Sequence, residues 1–483
     1  MLIRQSTKNH AVLNVQSVSK SLQFTFLRAR QGRQVKTNVL SNRSETLTKG
    51  RHQDEDHSMN IAFAPEFDKA EGGVFQYSQT MLRGLKVLLR TEAIDELHCL
   101  AHNPWEEGAR TLASEGLNII SLEDAGPVGR FRNIARRTLS RSPRLMEKAR
   151  ALRRRSQQEP QWENKGISHK HVVKDRLTRL GVRHTIFPKP TPLGFEIGLP
   201  YAMAIHDLQH RLQEGRFPEL MVNNQFQQRE YIYRNAVKTA QVLLVDSEIG
   251  KEDVLEAYGQ DGARPEQIAI LPFHVPPPMH NEMPAHVKKR IKAELGLPEK
   301  FVFYPAQYWQ HKNHVRIIEA LQLLHHQSGL KLPVFFCGSY AHPLRQEVYR
   351  QIEERTKTFG LEECVHHLGY VSDDVLRVLY HFATALVMPT YFGPTNIPVV
   401  EAWHAGCPVI TSNIRGIREH IGDAGLLAHP DSAEELAAAL QQILENTDTR
   451  DKIVDAGRKK IETYGMSEYL TQLKDVLTHF DDT

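Results

Sequence analysis

Nothing in this 483-residue chain approaches the run of about 20 apolar residues that a bilayer demands of a spanning helix, which argues against an integral membrane protein. Cysteine is scarce. Cys99, Cys337, Cys364 and Cys407 stand far apart with no CxxC pair, so neither a disulfide scaffold nor a thiolate zinc site is indicated, and the usage fits a reducing cytoplasm. No GxGxxG follows any predicted strand, which counts against a dinucleotide dehydrogenase. There are 25 histidines but no HExxH, and neighbours such as His366 and His367 would point to opposite faces of a strand. No metal is expected. Net charge is also small, +4 from 61 Lys and Arg against 57 Asp and Glu, so its placement says more than its total.

That placement is uneven. Residues 1–58 hold ten basic and four acidic residues, and Arg130–Arg155 holds eleven basic residues against the single acid Glu147. The remainder is mildly acidic. The basic segment has one aromatic, Phe131, too little for stacking on bases, so no nucleic acid is expected as a partner. It interleaves Phe131, Ile134, Leu139, Leu145 and Leu152 with cations, a spacing that approaches an amphipathic stripe interrupted by Pro143. Two readings stand: an anchor on an anionic membrane surface, and a solvated insertion. Residues 1–58 are polar and without a sustained period, which predicts a disordered extension ahead of a natural start at Met59. Their arginines leave a transit peptide as the alternative.

From Met59 onward, short apolar runs alternate with helical stretches. Ile61–Ala64, Leu97–Leu100, Leu117–Ile120, His184–Phe187, Ala202–Ile205 and Val242–Val245 read as strands of a first parallel sheet, with a basic insertion at about 125–180. A proline-rich stretch, Leu271–Pro284, reads as a linker. A second series then runs through Phe301–Tyr304, Val334–Cys337, Val365–Leu368, Ala385–Met388, Val409–Thr411 and Leu426–Ala428. The predicted fold is α/β, with two doubly wound Rossmann-like domains at 59–280 and 285–483 facing across a cleft, the last helix returning to the first domain.

Three motifs follow predicted strands, where such folds meet their ligands. Glu71-Gly72-Gly73 opens a helix after the first strand, and two glycines let the backbone approach an anion closely. Tyr304–Asn313 ends the first strand of the second series and carries Lys312, a cation able to offset a diphosphate. Met388–Ala402 is a polar loop entering a helix with Pro398 in its first turn and Glu401 about one turn in, suited to sugar hydroxyls or to the helix dipole.

The run from Gly393 through Glu401, with Ala405–Ile410 behind it, resembles the donor-site signature of retaining glycosyltransferases of family 4, group 1 enzymes of GT-B fold. Tyr304–Asn313 is similar to that family's basic phosphate loop, His206-Asp207-Leu208 to its first-domain cleft motif, and Gly72-Gly73 to its first glycine-rich turn. The resemblance runs from about Met59 to the C-terminus and is weakest over Ser121–Val182. It implies a catalytic set of Lys312, His206 and Glu401. Lys312 would neutralise the diphosphate, with Gln307 in the same loop; Glu401 would hold the ribose; Thr395, Asn396 and Ile397 would meet phosphate and sugar through backbone N–H groups. Gly369, Tyr370 and Val371 would receive the base, His206 would sit beside the transferred sugar, and Gly72 and Gly73 would approach the phosphates or the acceptor. The implied reaction is transfer of a hexosyl or deoxyhexosyl group, mannosyl-, glucosyl- or rhamnosyl-like, from a nucleoside-diphosphate sugar to a glycan or lipid-linked glycan. Retention of configuration, no metal and no cofactor are implied, with a place in cell-surface polysaccharide synthesis at the cytoplasmic side of the inner membrane.

Two departures bear on this. The family often has a glutamate where this chain has Gly393, and an arginine where it has Gln307, which offers a dipole rather than a charge. A non-catalytic sugar-nucleotide-binding protein of the same fold, or a GT-B enzyme of another reaction, are the alternatives.

Overall fold

A computed structural model describes residues 59–122, 170–393 and 395–480. The extension 1–58 and the basic segment Arg130–Arg155 lie outside the described residues. The first sheet comprises β1 (Asn60–Phe63), β2 (Glu96–Ala101), β3 (Asn118–Ser121), β4 (Val182–Phe187), β5 (Tyr201–Ala204), β6 (Val242–Val245) and β7 (Ile268–Ile270). Its strands lie in the order β3-β2-β1-β4-β5-β6-β7, and every pairing is parallel. Such a sheet is covered on both faces, and accordingly β5 and β6 are buried throughout.

The second sheet comprises β8 (Val302–Pro305), β9 (Val334–Cys337), β10 (Val365–Gly369), β11 (Ala385–Met388), β12 (Val409–Ser412) and β13 (Leu426–Ala428). Its order is β10-β9-β8-β11-β12-β13, again all parallel. In both sheets the chain works outward from a central strand to one edge, then returns to build the other side. That order leaves a switch point between β1 and β4 and another between β8 and β11, where crossovers diverge and a crevice opens at the strand ends. The architecture is GT-B: two Rossmann-like sheets with their crevices turned to a shared cleft.

The helix Gly73–Arg90 shows how sequence pattern positions the cleft. Tyr77, Met81, Leu85 and Leu88 recur at helical spacing and are buried against the first sheet. Gln76, Gln79, Arg83, Lys86 and Arg90 occupy another face, which lines the cleft. The C-terminal helix Met466–Thr478 crosses this helix at Gly84 and gives Tyr469, Leu473, Val476 and Leu477 to the first domain's core.

Candidate functional site

A cleft of about 810 Å³ opens between the two sheets. One side is the turn at Gly72 and Gly73 with the helix that follows. The other is built from Gln307 after β8, Gly338 after β9, Gly369–Val371 at the end of β10, and Ile397, Pro398 and Glu401. Most of these positions are the ones the sequence motifs single out.

Backbone geometry explains the glycines. Gly72 has φ 58° and ψ −114°, a conformation that side chains resist. A Cβ there would lie 3.6 Å from Gln307 Nε2, and one on Gly73 would lie 3.8 Å from Ile397 Cδ1, so this turn sits directly against the second domain. At Gly338 a Cβ would fall 2.3 Å from the Ala306 carbonyl oxygen, which leaves glycine as the residue that fits. The motif reading missed Gly338, although a glycine right after the apolar run Val334–Cys337 was the available signal.

Gln307 Nε2 donates to the Tyr370 hydroxyl at 3.2 Å, joining two cleft-lining loops. Tyr370 is 56% exposed, an uncovered aromatic face at the cleft. Glu401 is buried, and its Oε2 accepts from the Tyr380 hydroxyl at 2.7 Å. Burial pushes the Glu401 carboxyl up to about 7, against the opposing pull of Tyr380. Its helix, Ile397–Ala405, has Pro398 in the first turn and no side-chain bond from its cap Asn396. The helix start therefore offers N–H groups toward the cleft.

Lys312, His206, Thr395 and Asn396 are not among the residues lining the cleft; they belong to the packed layer between the domains. Thr395 is buried, and its hydroxyl donates to the carboxylate of Asp246, which follows β6 in the first domain. Burial pushes Asp246 up to about 7, while bonds from Thr395 and Ser247 pull the other way. Asn396 donates to the Phe392 carbonyl at 3.4 Å. His206 stands edge-on to Tyr77, ring centroids 5.0 Å apart, and its Nε2–H donates to the Pro188 carbonyl at 2.8 Å. Burial lowers its pKa, so the ring is neutral with Nδ1 as its acceptor nitrogen. Asp207 beside it binds Arg229 at 2.9 Å; burial opposes ionisation, but Arg229 and the Gln209 N–H hold the carboxyl below its usual range.

Lys312 ends a short 3-10 turn, Gln310–Lys312. Its carbonyl accepts from the Tyr304 hydroxyl at 2.9 Å. Asn313, at φ 57°, donates to the carbonyls of Pro389 (3.0 Å) and Pro430 (2.7 Å), tying this loop to those after β11 and β13. Burial lowers the Lys312 ammonium to about 8, with Asp207 and Glu219 opposing that fall. Asp246, Glu219 and Tyr380 were not anticipated from sequence. Each is a single polar residue whose partner lies far along the chain.

Residues 287–460 match the family model of group 1 glycosyl transferases. Among curated relatives, O-antigen chain mannosyltransferase B of Escherichia coli is 23% identical over 257 residues, covering 53% of this chain and 65% of that protein. D-inositol 3-phosphate glycosyltransferase of Corynebacterium aurimucosum is 23% identical over 254 residues, 51% of this chain and 59% of that one. The chain thus spans about three-fifths of the length of these relatives. Among solved structures, a glycosyltransferase from Rickettsia africae aligns with a TM-score of 0.62 at 13% identity, covering 88% of this chain and all of the other. Anabaena HepE in complex with UDP-glucose aligns with a TM-score of 0.61 at 15% identity, covering 87% and 99%. Residues 287–460 are thus similar to the group 1 glycosyl transferases, within a chain whose two-domain architecture is GT-B.

Proposed function

We propose that this protein transfers a hexosyl or deoxyhexosyl group from a nucleoside-diphosphate sugar to a glycan or lipid-linked glycan, with retention of configuration and without a metal, in cell-surface polysaccharide synthesis. The observation that carries this reading is the second-domain wall of the cleft. There a buried carboxyl, Glu401, and a helix start beside the switch point of β8 and β11 line the cleft together with the Gly369–Val371 turn at the end of β10. Such a wall suits a nucleotide: Glu401 takes ribose hydroxyls, the backbone of Gly369–Val371 meets the base, and the helix start draws the diphosphate, with the Lys312 ammonium acting from the packed layer between the domains.

The chemical difficulty is charge, because a diphosphate leaves while positive character builds on the sugar. Preorganised N–H groups and an ammonium answer the first half. Retention follows if the acceptor attacks from the face the diphosphate leaves, the departing phosphate oxygen taking the acceptor's proton. In this reading His206, neutral and with an acceptor nitrogen, acts on the sugar from the first-domain side of the packed layer rather than from the cleft lining. That wall carries Lys69, Arg83, Lys86 and Arg90, while the acids lining the cleft, Asp373 and Glu401, belong to the other wall. An acceptor bearing negative charge, such as a lipid-linked glycan with its phosphates, fits this asymmetry. The basic segment Arg130–Arg155 would add contact with an anionic membrane surface.

A thermal-shift screen of nucleoside diphosphates and their sugars tests the donor, since ligands that bind the folded state raise its melting temperature. Turnover with the selected donor, followed by determination of the product's anomeric configuration, tests the reaction. Lys312→Ala should lower kcat about 100-fold or more, the scale for losing one electrostatic stabiliser. Because Gln307 supplies no charge, a binding protein without turnover is the second reading, and it would show nucleotide-induced stabilisation with no product.

A further inference from the structure

A first-domain segment reaches into the second domain beside Lys312. Phe217 and Leu220 are buried with Phe392, the Phe217 and Phe392 rings meeting edge-to-face at 5.0 Å. Arg216 lies 4.3 Å over the Tyr391 ring. Between them Glu219 is 7% exposed, and its Oε1 accepts from the His311 backbone N–H at 3.0 Å and from the ring Nδ1–H at 2.6 Å. The His311 ring stacks on Phe392 at 3.9 Å, and its carbonyl accepts from the Tyr391 N–H at 2.9 Å. His311 is therefore gripped from both domains, and the next residue is Lys312. The other Glu219 oxygen, Oε2, is buried with no hydrogen-bond partner among the described residues, so its charge is left to act through space.

We infer that Glu219 is a positioning residue: from the first domain it seats the Lys312 loop of the second through the two bonds that it accepts from His311. The use of the Lys312 charge on a diphosphate rests on the donor reading above, whereas the seating does not. Among the described residues, the charged and titratable groups that interact electrostatically with Lys312 include Asp207, itself paired with Arg229, Glu219, His311 and His314. Burial brings His311 to about 4 and His314 to about 3, so both rings are neutral near pH 7. For Glu219 burial raises the pKa, yet the bonds from His311 outweigh it and leave the carboxylate ionised. Two carboxylates thus oppose the burial that brings Lys312 to about 8, and removing one lowers the ammonium further.

The test reads Lys312 directly in the full chain without ligand, by mass-spectrometric measurement of its acylation rate from pH 6 to 10. Glu219→Gln keeps an oxygen to accept from His311, so the fold is retained while the charge is lost. Its Lys312 midpoint should fall by about half a pH unit or more relative to wild type. Glu219→Ala loses the grip as well and should acylate faster at every pH. In parallel, UDP, GDP and ADP affinities are measured over the same range: the alkaline limb of binding should move down in Glu219→Gln, and Lys312→Ala should abolish the limb in either background. A Lys312 acylation profile in Glu219→Ala that matches wild type overturns the inference. If Glu219→Ala acylates faster but wild type binds none of the three nucleotides, the donor reading falls and the positioning role stands.

Discussion

At the scale of the residue, a carboxyl buried beside a tyrosine hydroxyl makes stability depend on pH. Glu401 titrates near 7 in the folded chain and near 4.5 when exposed. Below the lower value both states are protonated and it contributes nothing to pH dependence; as pH rises through the folded value, stability is lost. Glu401→Gln removes that loss while keeping an oxygen for the Tyr380 hydroxyl. The variant should therefore melt above wild type at pH 8, by roughly 2–4 °C for each kcal/mol recovered, and the gap should close toward pH 5. The same change should weaken nucleoside-diphosphate affinity about tenfold or more, because a neutral amide accepts poorly from ribose hydroxyls. Calorimetry at the two pH values and a titration with nucleotide check both halves, and equal melting differences at pH 5 and pH 8 would remove the titration argument. Glu401 was legible in the sequence because its polar loop, first-turn proline and glycine-ended helix sit together in one stretch. Asp246 and Glu219 were not legible. Their partners, Thr395 and His311, lie 149 and 92 positions away, and no local pattern joins them.

Elements were read well where apolar runs are continuous. Val242–Val245, Val334–Cys337, Ala385–Met388 and Leu426–Ala428 are strands over the spans their sequence marks. β7 was missed because Ile268–Ile270 is only three residues long and runs into the apolar start of the proline-rich stretch. As an edge strand that among the described residues pairs with β6 alone, it needs little pattern of its own. Gly84 poses the opposite case, a glycine in mid-helix that costs helix propensity with no visible local reason. Tertiary packing supplies the reason: a Cβ at Gly84 would lie 2.8 Å from Leu473 Cδ2 and 3.1 Å from Tyr469 Cε1 on the C-terminal helix. Gly84→Val should overpack this crossing and destabilise the chain by about 1–3 kcal/mol, lowering the urea midpoint. A midpoint matching wild type would mean that the two helices do not press together as closely as Gly84 allows.

At the scale of the whole molecule, the domains are joined by charged and aromatic contacts around a cleft of asymmetric charge. Arg415 reaches from the loop after β12 to Asp253 and Glu252 in the first domain, and Arg216 reaches from the first domain to Asp431 in the second. With the walls held in this way, the face of Gly73–Arg90 that presents Arg83, Lys86 and Arg90 is aligned along one side. Lys86 is partly neutralised by Glu115, so Arg83 and Arg90 carry most of the uncompensated charge. If the acceptor brings phosphate to this wall, Arg83→Gln with Arg90→Gln should raise the acceptor KM about tenfold or more, the scale for losing charge-assisted bonds at a partly exposed site. The second-domain wall proposed to hold the donor is built from other residues, so nucleoside-diphosphate affinity should stay within about twofold of wild type. Added salt should raise the acceptor KM of wild type and have little effect on the double variant, since screening acts on the charge the variant has already lost. Both substituted side chains lie on the cleft face rather than in the sheet-facing stripe of Tyr77, Met81, Leu85 and Leu88, so the melting temperature should hold. An acceptor KM that ignores both the substitutions and the salt would mean that the acceptor meets this wall through neutral groups.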